Sequence, residues 1–188
     1  MEATDLDNAQ KAVLLALANT PESHSQERLY FEKLLFLLTK ADRDELQDLD
    51  QSFEAYRLGM YSEYADEILQ RFDAMGLAEN NKIRPSGKKL ADEIVRDPNS
   101  RRLAEGLSKV MKFAVGLDTP DLLYAAYRLY PELTSKSEIS ERVHSDKLEH
   151  FSIAPSSLSD GETTTAVSDK GNQVRVTRHG RRLEIETP

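Results

Sequence analysis

Apolar residues recur at helical spacing along the first part of the chain. From Leu6 to Ala18 they return every three or four residues, which predicts an amphipathic helix. From Ser25 to Lys40 the second half of the segment is apolar nearly all round, so we expect this helix to form the buried centre of the fold. Residues 42–50 are polar and acidic, and we interpret them as a solvated connector.

A third predicted helix, from Glu63 to Met75, has a clear beginning and end. Ser62 is a suitable N-cap, and Gly76 is suited to the backbone that follows a helix. The segment Gly59-Met60-Tyr61-Ser62 precedes this helix, and its glycine indicates a change of backbone direction. The Gly59 to Ser62 segment is therefore expected to be a turn that leads into the helix.

Asn80-Asn81 lies between Leu77-Ala78-Glu79 and Lys82-Ile83-Arg84 and predicts a two-residue hairpin, because asparagine tolerates positive φ. Three more helices are expected after this hairpin. One begins at Pro85 or Ser86, one runs from about Asn99 to Leu117, and one begins at Thr119-Pro120 and ends at Pro131.

The character of the chain changes near residue 139. We divide it into a helical domain (1–138), a polar linker (139–165) and a basic β-hairpin tail (166–188). In the tail, alternation with a period of two predicts a hairpin; its apolar residues are Val174, Val176, Leu183 and Ile185. Since an isolated hairpin is marginal in water, the tail is expected to contact the body or another chain.

The order helix, helix, short extended segment, helix, hairpin, helix is typical of a winged helix. The predicted fold is therefore mainly α: a winged-helix-like domain with a small β-hairpin wing, extra C-terminal helices and a separate C-terminal β-hairpin tail.

Residues about 5–140 resemble the YwgA-like group and the related Panacea, or SocA-type antitoxin, domains. The resemblance lies in three segments. Lys33 to Leu38 is a lysine before a run of large apolar residues, Gly59 to Ser62 is a glycine-tyrosine-serine element, and Ile83 to Gly87 is the segment at the hairpin's second strand and after it. A tyrosine-rich closing helix, Tyr124 to Tyr130, is also similar. The resemblance implies a winged-helix-like fold and a role in regulation, toxin–antitoxin pairs or defence, with no catalytic residues.

Charge is distributed unevenly in this acidic chain. Residues 1–79 contain 17 acidic and 7 basic side chains, whereas residues 80–112 contain 4 acidic and 9 basic ones. The predicted Glu63 to Met75 helix has four carboxylates and one arginine, the wrong balance for a helix in the major groove of DNA.

The basic segments are the candidate nucleic-acid contacts, and the leading hypothesis is a winged-helix regulator that binds duplex DNA through them. The wing and the next helices supply Lys82, Arg84, Lys88, Lys89, Arg101 and Arg102; the tail supplies Arg175, Arg178, Arg181 and Arg182. Two alternatives stay open. The wing cations could form an ordinary solvated surface, and the tail could protect a sheet edge or dock on an acidic partner.

The rival hypothesis is a protein-interaction module, such as an antitoxin or adaptor, that binds a basic partner through the acidic helix and the turn before it. The candidate partner-binding residues are Gly59, Met60, Tyr61, Ser62, Tyr64 and Asp66.

Little in the chain suggests catalysis. The absence of cysteine excludes disulfides, thiolate metal sites and cysteine nucleophiles. His144 and His150 are spaced too far apart for one helical face, and residues 42–50 lack the glycine of a calcium loop. We expect a non-enzymatic, cytoplasmic homodimer without a cofactor, metal or membrane segment.

Overall fold

The computed structural model describes residues 2–24, 28–57, 59–114, 116–133, 136–137, 161, 163–167, 173–179 and 182–186. These residues are mainly helical, as the sequence predicts. Their α-helices are α1 (Asn8–Asn19), α2 (Arg28–Ala41), α3 (Gln47–Gln51), α4 (Glu63–Ala74), α5 (Pro85–Arg96), α6 (Arg101–Ala114) and α7 (Thr119–Leu129). Their strands are β1 (Glu54–Tyr56), β2 (Gly59–Tyr61), β3 (Ala78–Glu79), β4 (Lys82–Ile83), β5 (Thr163–Val167), β6 (Gln173–His179) and β7 (Arg182–Glu186).

Helix α2 is the centre of the fold, as its apolar pattern predicts. Residues Leu34 to Leu38 are completely buried. The helix contacts α1, α3, α6, α7, β2 and β7, so each of its sides is covered. A helix that is apolar all round requires such an environment, because any exposed side would leave large hydrophobic side chains in water.

The ends of α4 agree with the prediction. Ser62 Oγ accepts a hydrogen bond from the Ala65 amide at 3.0 Å, and Gly76 follows the helix with φ +70°. The apolar face contains Ile68, Leu69 and Phe72, which are buried. Met75, the last residue of the predicted helix, is instead the C-cap and is 55% exposed, because the chain turns away there.

Two small antiparallel hairpins flank α4. In the β3–β4 hairpin, Asn80 and Asn81 both have positive φ, which confirms the predicted two-residue turn. In the β1–β2 hairpin, Tyr56 pairs with Gly59, whereas the sequence had indicated only a turn there. The N-terminal side of α4 is therefore held by a hairpin that immediately precedes its cap.

The prediction of a solvated acidic connector at residues 42–50 holds only in part: Asp44, Glu45 and Asp48 are exposed, but two other carboxylates are not. Asp42 is 2% exposed and Asp50 is fully buried. Asp50 forms ion pairs with Lys40 and Arg43, the latter at 3.2 Å. The connector is thus attached to the core by charges that come from the end of α2, and α3 forms within it.

The tail forms a three-stranded antiparallel sheet in the order β5-β6-β7. The predicted hairpin corresponds to β6 and β7, with Val176 opposite Ile185. Strand β5 was not predicted, and its first three residues fall within the segment interpreted as a linker. Strand β7 lies against α2 and α6, so the tail contacts the helical body. Most of the predicted linker lies outside the described residues.

Candidate functional site

An open cleft of about 510 Å³ lies where the start of α2, the β1–β2 hairpin and the start of α4 meet. Four of the six predicted partner-binding residues line it, namely Gly59, Met60, Tyr61 and Asp66. The remaining lining residues are Arg28, Leu29, Glu32, Tyr56 and Glu63. The structure therefore gathers most of the predicted partner-binding residues at one recess.

Gly59 lets β2 approach α7 closely. Its φ is +98°, and a Cβ atom at this position would lie 2.6 Å from Tyr127 Oη and 2.8 Å from Tyr127 Cε1. Glycine is required for both reasons, since other residues rarely adopt this φ and the added carbon would overlap the ring. The floor of the cleft is thus fixed by a backbone-to-ring contact.

Lys33 supports the cleft from inside the protein. Its side chain is fully buried, and Nζ donates a hydrogen bond to the Met60 carbonyl at 2.7 Å. Burial lowers the pKa of Lys33 to about 8, although Glu32, 3.6 Å away, acts in the opposite direction. Lys33 belongs to the motif behind the family resemblance, but its bond to β2 could not be predicted from the residues around it.

A charged cluster forms one wall of the cleft. Arg28 Nε donates to Glu32 Oε1 at 2.8 Å, and a terminal nitrogen of Arg28 forms an ion pair with Asp66. Tyr61 Oη donates to the other Asp66 oxygen at 2.7 Å. Both carboxylates are largely buried, with 14% of the Glu32 and 18% of the Asp66 side chain exposed.

The electrostatics of this cluster follow from its hydrogen bonds. The bond to Asp66 raises the pKa of Tyr61 to about 12, because it stabilises the protonated phenol beside a carboxylate. The pKa of Arg28 is also raised, mainly by its hydrogen bond to Asp66. Arg28 and Glu32 were not predicted as site residues; their only sequence signal is an i,i+4 spacing of opposite charges.

Tyrosine rings form the outer part of the cleft. The rings of Tyr56 and Tyr61 have centroids 5.2 Å apart, and Tyr56 is 53% exposed. Ser62, another predicted partner-binding residue, is instead buried as the cap of α4 and lies 2.6 Å from the Ser52 hydroxyl. Its role is to position α4 rather than to contact a ligand.

Tyr64, the sixth predicted residue, lies in a second recess of about 400 Å³. Burial raises the pKa of Tyr64, with a smaller effect from Asp7 and Asp48. The acidic residues that line this recess are Asp7, Asp44, Glu45 and Asp48. Because Glu63 lines the cleft and Tyr64 lines the recess, the two acidic surfaces meet at the beginning of α4.

The four predicted nucleic-acid contacts near the wing are all exposed. Arg84 forms an ion pair with Glu79 at 2.9 Å, and Lys88 forms a longer one, 3.8 Å, with Asp92. Among the described residues, Lys82 and Lys89 have no ion pair. Two of these four cations are therefore paired within the chain, and two are not, although Lys82 lies opposite Glu79 in the hairpin register.

The two arginines at the start of α6 are paired within the chain. Arg101 contacts Glu105 at 2.9 Å. Arg102 contacts Asp42 and Asp44, both at 3.0 Å, and Glu45 at 3.5 Å. The hydrogen bond to Asp44 raises the pKa of Arg102. Arg102 thus connects α6 to the acidic connector, a role that accounts for its position without a nucleic acid.

Three of the four predicted tail arginines lie in the three-stranded sheet. Arg175 is exposed and lies opposite Glu186 in the strand register. Arg178 lies opposite Leu183, and Arg182 opposite His179. Arg181 is outside the described residues.

The described residues contain no group of three or more histidine, aspartate or glutamate side chains arranged to hold a metal ion. The His144 to His150 segment lies outside them. None of the helices in this part of the chain is long and apolar enough to cross a membrane.

Comparison with protein-family models, with curated proteins and with solved structures finds no match to this chain.

Proposed function

We propose that this protein is a non-enzymatic interaction module that binds a basic segment of a partner protein in the cleft between α2, β2 and α4. The observation that carries this proposal is the composition of the cleft wall. Three carboxylates, those of Glu32, Glu63 and Asp66, face one arginine, and the surface is completed by tyrosine rings. An antitoxin or an adaptor would use such a surface.

The cleft combines the two features that protein recognition needs. Leu29 and the two tyrosines supply apolar area, whereas Met60 is fully buried beneath the cleft; tyrosine is favoured at interfaces because it buries a large ring while keeping a polar group. The excess of negative charge attracts a basic partner and disfavours an acidic one. The acidic recess beside Tyr64 extends the same charge along the protein surface.

A titration of the isotope-labelled protein with a short peptide that alternates arginine and leucine tests this proposal by NMR. Amide shifts should change in β2 and at the first turns of α2 and α4. A peptide that alternates glutamate and leucine should cause no such change. Shifts confined to other surfaces, or equal responses to both peptides, would reject the proposal.

The order of predicted elements in the sequence favours a second candidate function, that of a winged-helix regulator that binds duplex DNA. Its specific support is the pair of exposed lysines without an ion pair among the described residues, Lys82 in β4 and Lys89 in α5, beside a tight hairpin. Phosphate contacts by such residues make affinity fall as salt rises. The double variant Lys82→Glu/Lys89→Glu should then weaken duplex binding for all sequences alike.

An electrophoretic mobility assay over a range of salt concentrations decides this second candidate. Lys109→Glu/Lys112→Glu is a matched control because it makes the same charge change on α6, away from the wing. No retardation of duplex DNA at low salt, or equal effects of the two double variants, would remove DNA binding from consideration.

Membership of the YwgA-like and Panacea group, a homodimeric state and a cytoplasmic location are part of the same proposal. Sedimentation equilibrium tests the dimer directly: a mass twice that of the 21.3 kDa chain supports it, and a monomer at all concentrations excludes it.

A further inference from the structure

We propose that the cleft recognises an arginine side chain of the partner, and that Arg28 occupies that place when no partner is bound. This inference rests on the proposed interaction function and specifies its ligand. The structure contains the essential arrangement already: a guanidinium held between two carboxylates and a tyrosine ring.

The cluster is built for a planar cation with more than one donor. Arg28 uses Nε for Glu32 and a terminal nitrogen for Asp66, so the two carboxylates are engaged by different nitrogens of one guanidinium. The Arg28 Cζ atom also lies 5.8 Å from the centroid of the Tyr61 ring. A lysine ammonium cannot reproduce this geometry, because it has no plane and no fork of donors.

The two carboxylates are positioned independently of Arg28. Asp66 is oriented by the Tyr61 hydroxyl, and Glu32 lies on a buried helix beside Lys33. Because their side chains are largely buried, removing the guanidinium would leave two poorly solvated negative charges. Such a site would favour a replacement cation.

Arg28 is placed so that it can leave. It is the first residue of α2, and 44% of its side chain is exposed, in contrast to the two carboxylates. Rotation of its side chain into solvent requires no change in the helix. An arginine of the partner that enters the cleft then forms the same ion pairs, so the exchange conserves charge and hydrogen bonds.

The nearby tyrosine extends the site for a ligand that approaches from solvent. Tyr56 is more than half exposed and lies against Tyr61. The methylene groups of an incoming arginine could cover this ring while its guanidinium reaches Asp66, and such contacts add cation–π and apolar stabilisation.

The test uses Arg28→Ala with methylguanidinium and methylammonium as probes in calorimetric titrations of the folded protein. The variant should bind methylguanidinium about tenfold more tightly than methylammonium, because one additional charge-assisted hydrogen bond lowers the dissociation constant by about that factor. Wild type should bind methylguanidinium more weakly than the variant, since Arg28 competes. Arg101→Ala, which removes an exposed arginine paired with a single glutamate, should show no such preference.

A thermal melt covers the case in which Arg28→Ala is unstable. Methylguanidinium should raise the melting temperature of the variant, or restore its folded fraction, more than methylammonium does at the same concentration. Equal effects of both probes, or an equal response of Arg101→Ala, would overturn the inference. If the inference fails in this way but the peptide that alternates arginine and leucine still binds in the cleft of wild type, the proposed interaction function stands. If methylguanidinium binds but the peptide does not, the proposed interaction function is rejected.

Discussion

Gly59 and Tyr127 are in direct contact, and the contact joins the cleft to the last helix of the body. There is no room for a side chain at Gly59, because a Cβ atom would lie 2.6 Å from the tyrosine hydroxyl. That hydroxyl also lies 2.7 Å from Ser137 Oγ, and this hydrogen bond helps to hold the ring in place. The position of β2, and with it the carbonyl of Met60, depends on this contact.

Gly59→Ala should therefore destabilise the protein more than a glycine substitution that introduces only backbone strain. Gly76→Ala is the matched control, because Gly76 also has positive φ but no neighbouring atom within 4 Å of its Cβ position. We expect Gly59→Ala to cost about 1–3 kcal/mol more than Gly76→Ala in urea unfolding, the usual range for overpacking. Equal decreases in the free energy of unfolding for the two variants would show that the contact with the Tyr127 ring does not affect stability.

Lys33 should make stability depend on pH in an unusual direction. Its pKa is about 8 in the folded protein, below the ordinary value of 10.5, so the unfolded chain binds more protons between these values. Stability should rise as pH increases from about 8 towards 10.5, and the contribution of Lys33 should stop changing below about pH 8, where both states hold the proton. The full effect of burial is on the order of 3 kcal/mol.

Comparison of wild type with Lys33→Met isolates this effect. The tyrosines whose pKa is raised, such as Tyr61, lower stability above pH 10, but they do so equally in both proteins. The difference in unfolding free energy between wild type and Lys33→Met should thus change steadily in favour of wild type from pH 8 to 10. A difference that does not vary with pH would contradict a buried, charged Lys33.

Asp50 should be among the residues most important for stability, although it lies in a segment rich in acidic residues. It is fully buried and pairs with Lys40, whose Nζ lies over the rings of Phe36 and Tyr130. Asp50→Asn removes the negative charge beside this buried ammonium and should cost about 3–5 kcal/mol.

Asp48→Asn is the control for Asp50→Asn, because Asp48 is exposed on the same short helix; it should change stability by less than about 0.5 kcal/mol. Adding Lys40→Met to Asp50→Asn should restore much of the loss. If Asp50→Asn unfolds at the same urea concentration as wild type, the buried ion pair does not support the fold.

Local features of the chain could be predicted from sequence because their causes are local. The period of apolar residues located α1, α2 and α4, the hydroxyl of Ser62 marked a helix start, and Asn80-Asn81 marked a tight turn. In each case the physical cause lies within a few residues of the feature.

The cleft could be predicted only in part. Gly59 to Asp66 were identified because a turn, aromatic rings and acidic residues occur together in the sequence. Arg28 was missed, since its partner Asp66 is 38 residues away. The same reason explains part of the error at residues 42–50: Arg102, which pairs with the buried Asp42, is 58 residues from its other partner Asp44. Pairing over such distances depends on how the helices pack, which no local pattern contains.

The central claim is that the cleft binds a basic partner. It is tested most directly by comparing how tightly the peptide that alternates arginine and leucine binds to the Glu63→Lys and Asp73→Lys variants. Both residues are exposed on α4 and both changes add the same charge, but only Glu63 lines the cleft. Calorimetry should show binding weakened about tenfold by Glu63→Lys, since an attraction on the order of 0.5–1 kcal/mol becomes a repulsion of similar size. Asp73→Lys should bind like wild type. Equal affinities of the two variants would contradict the claim.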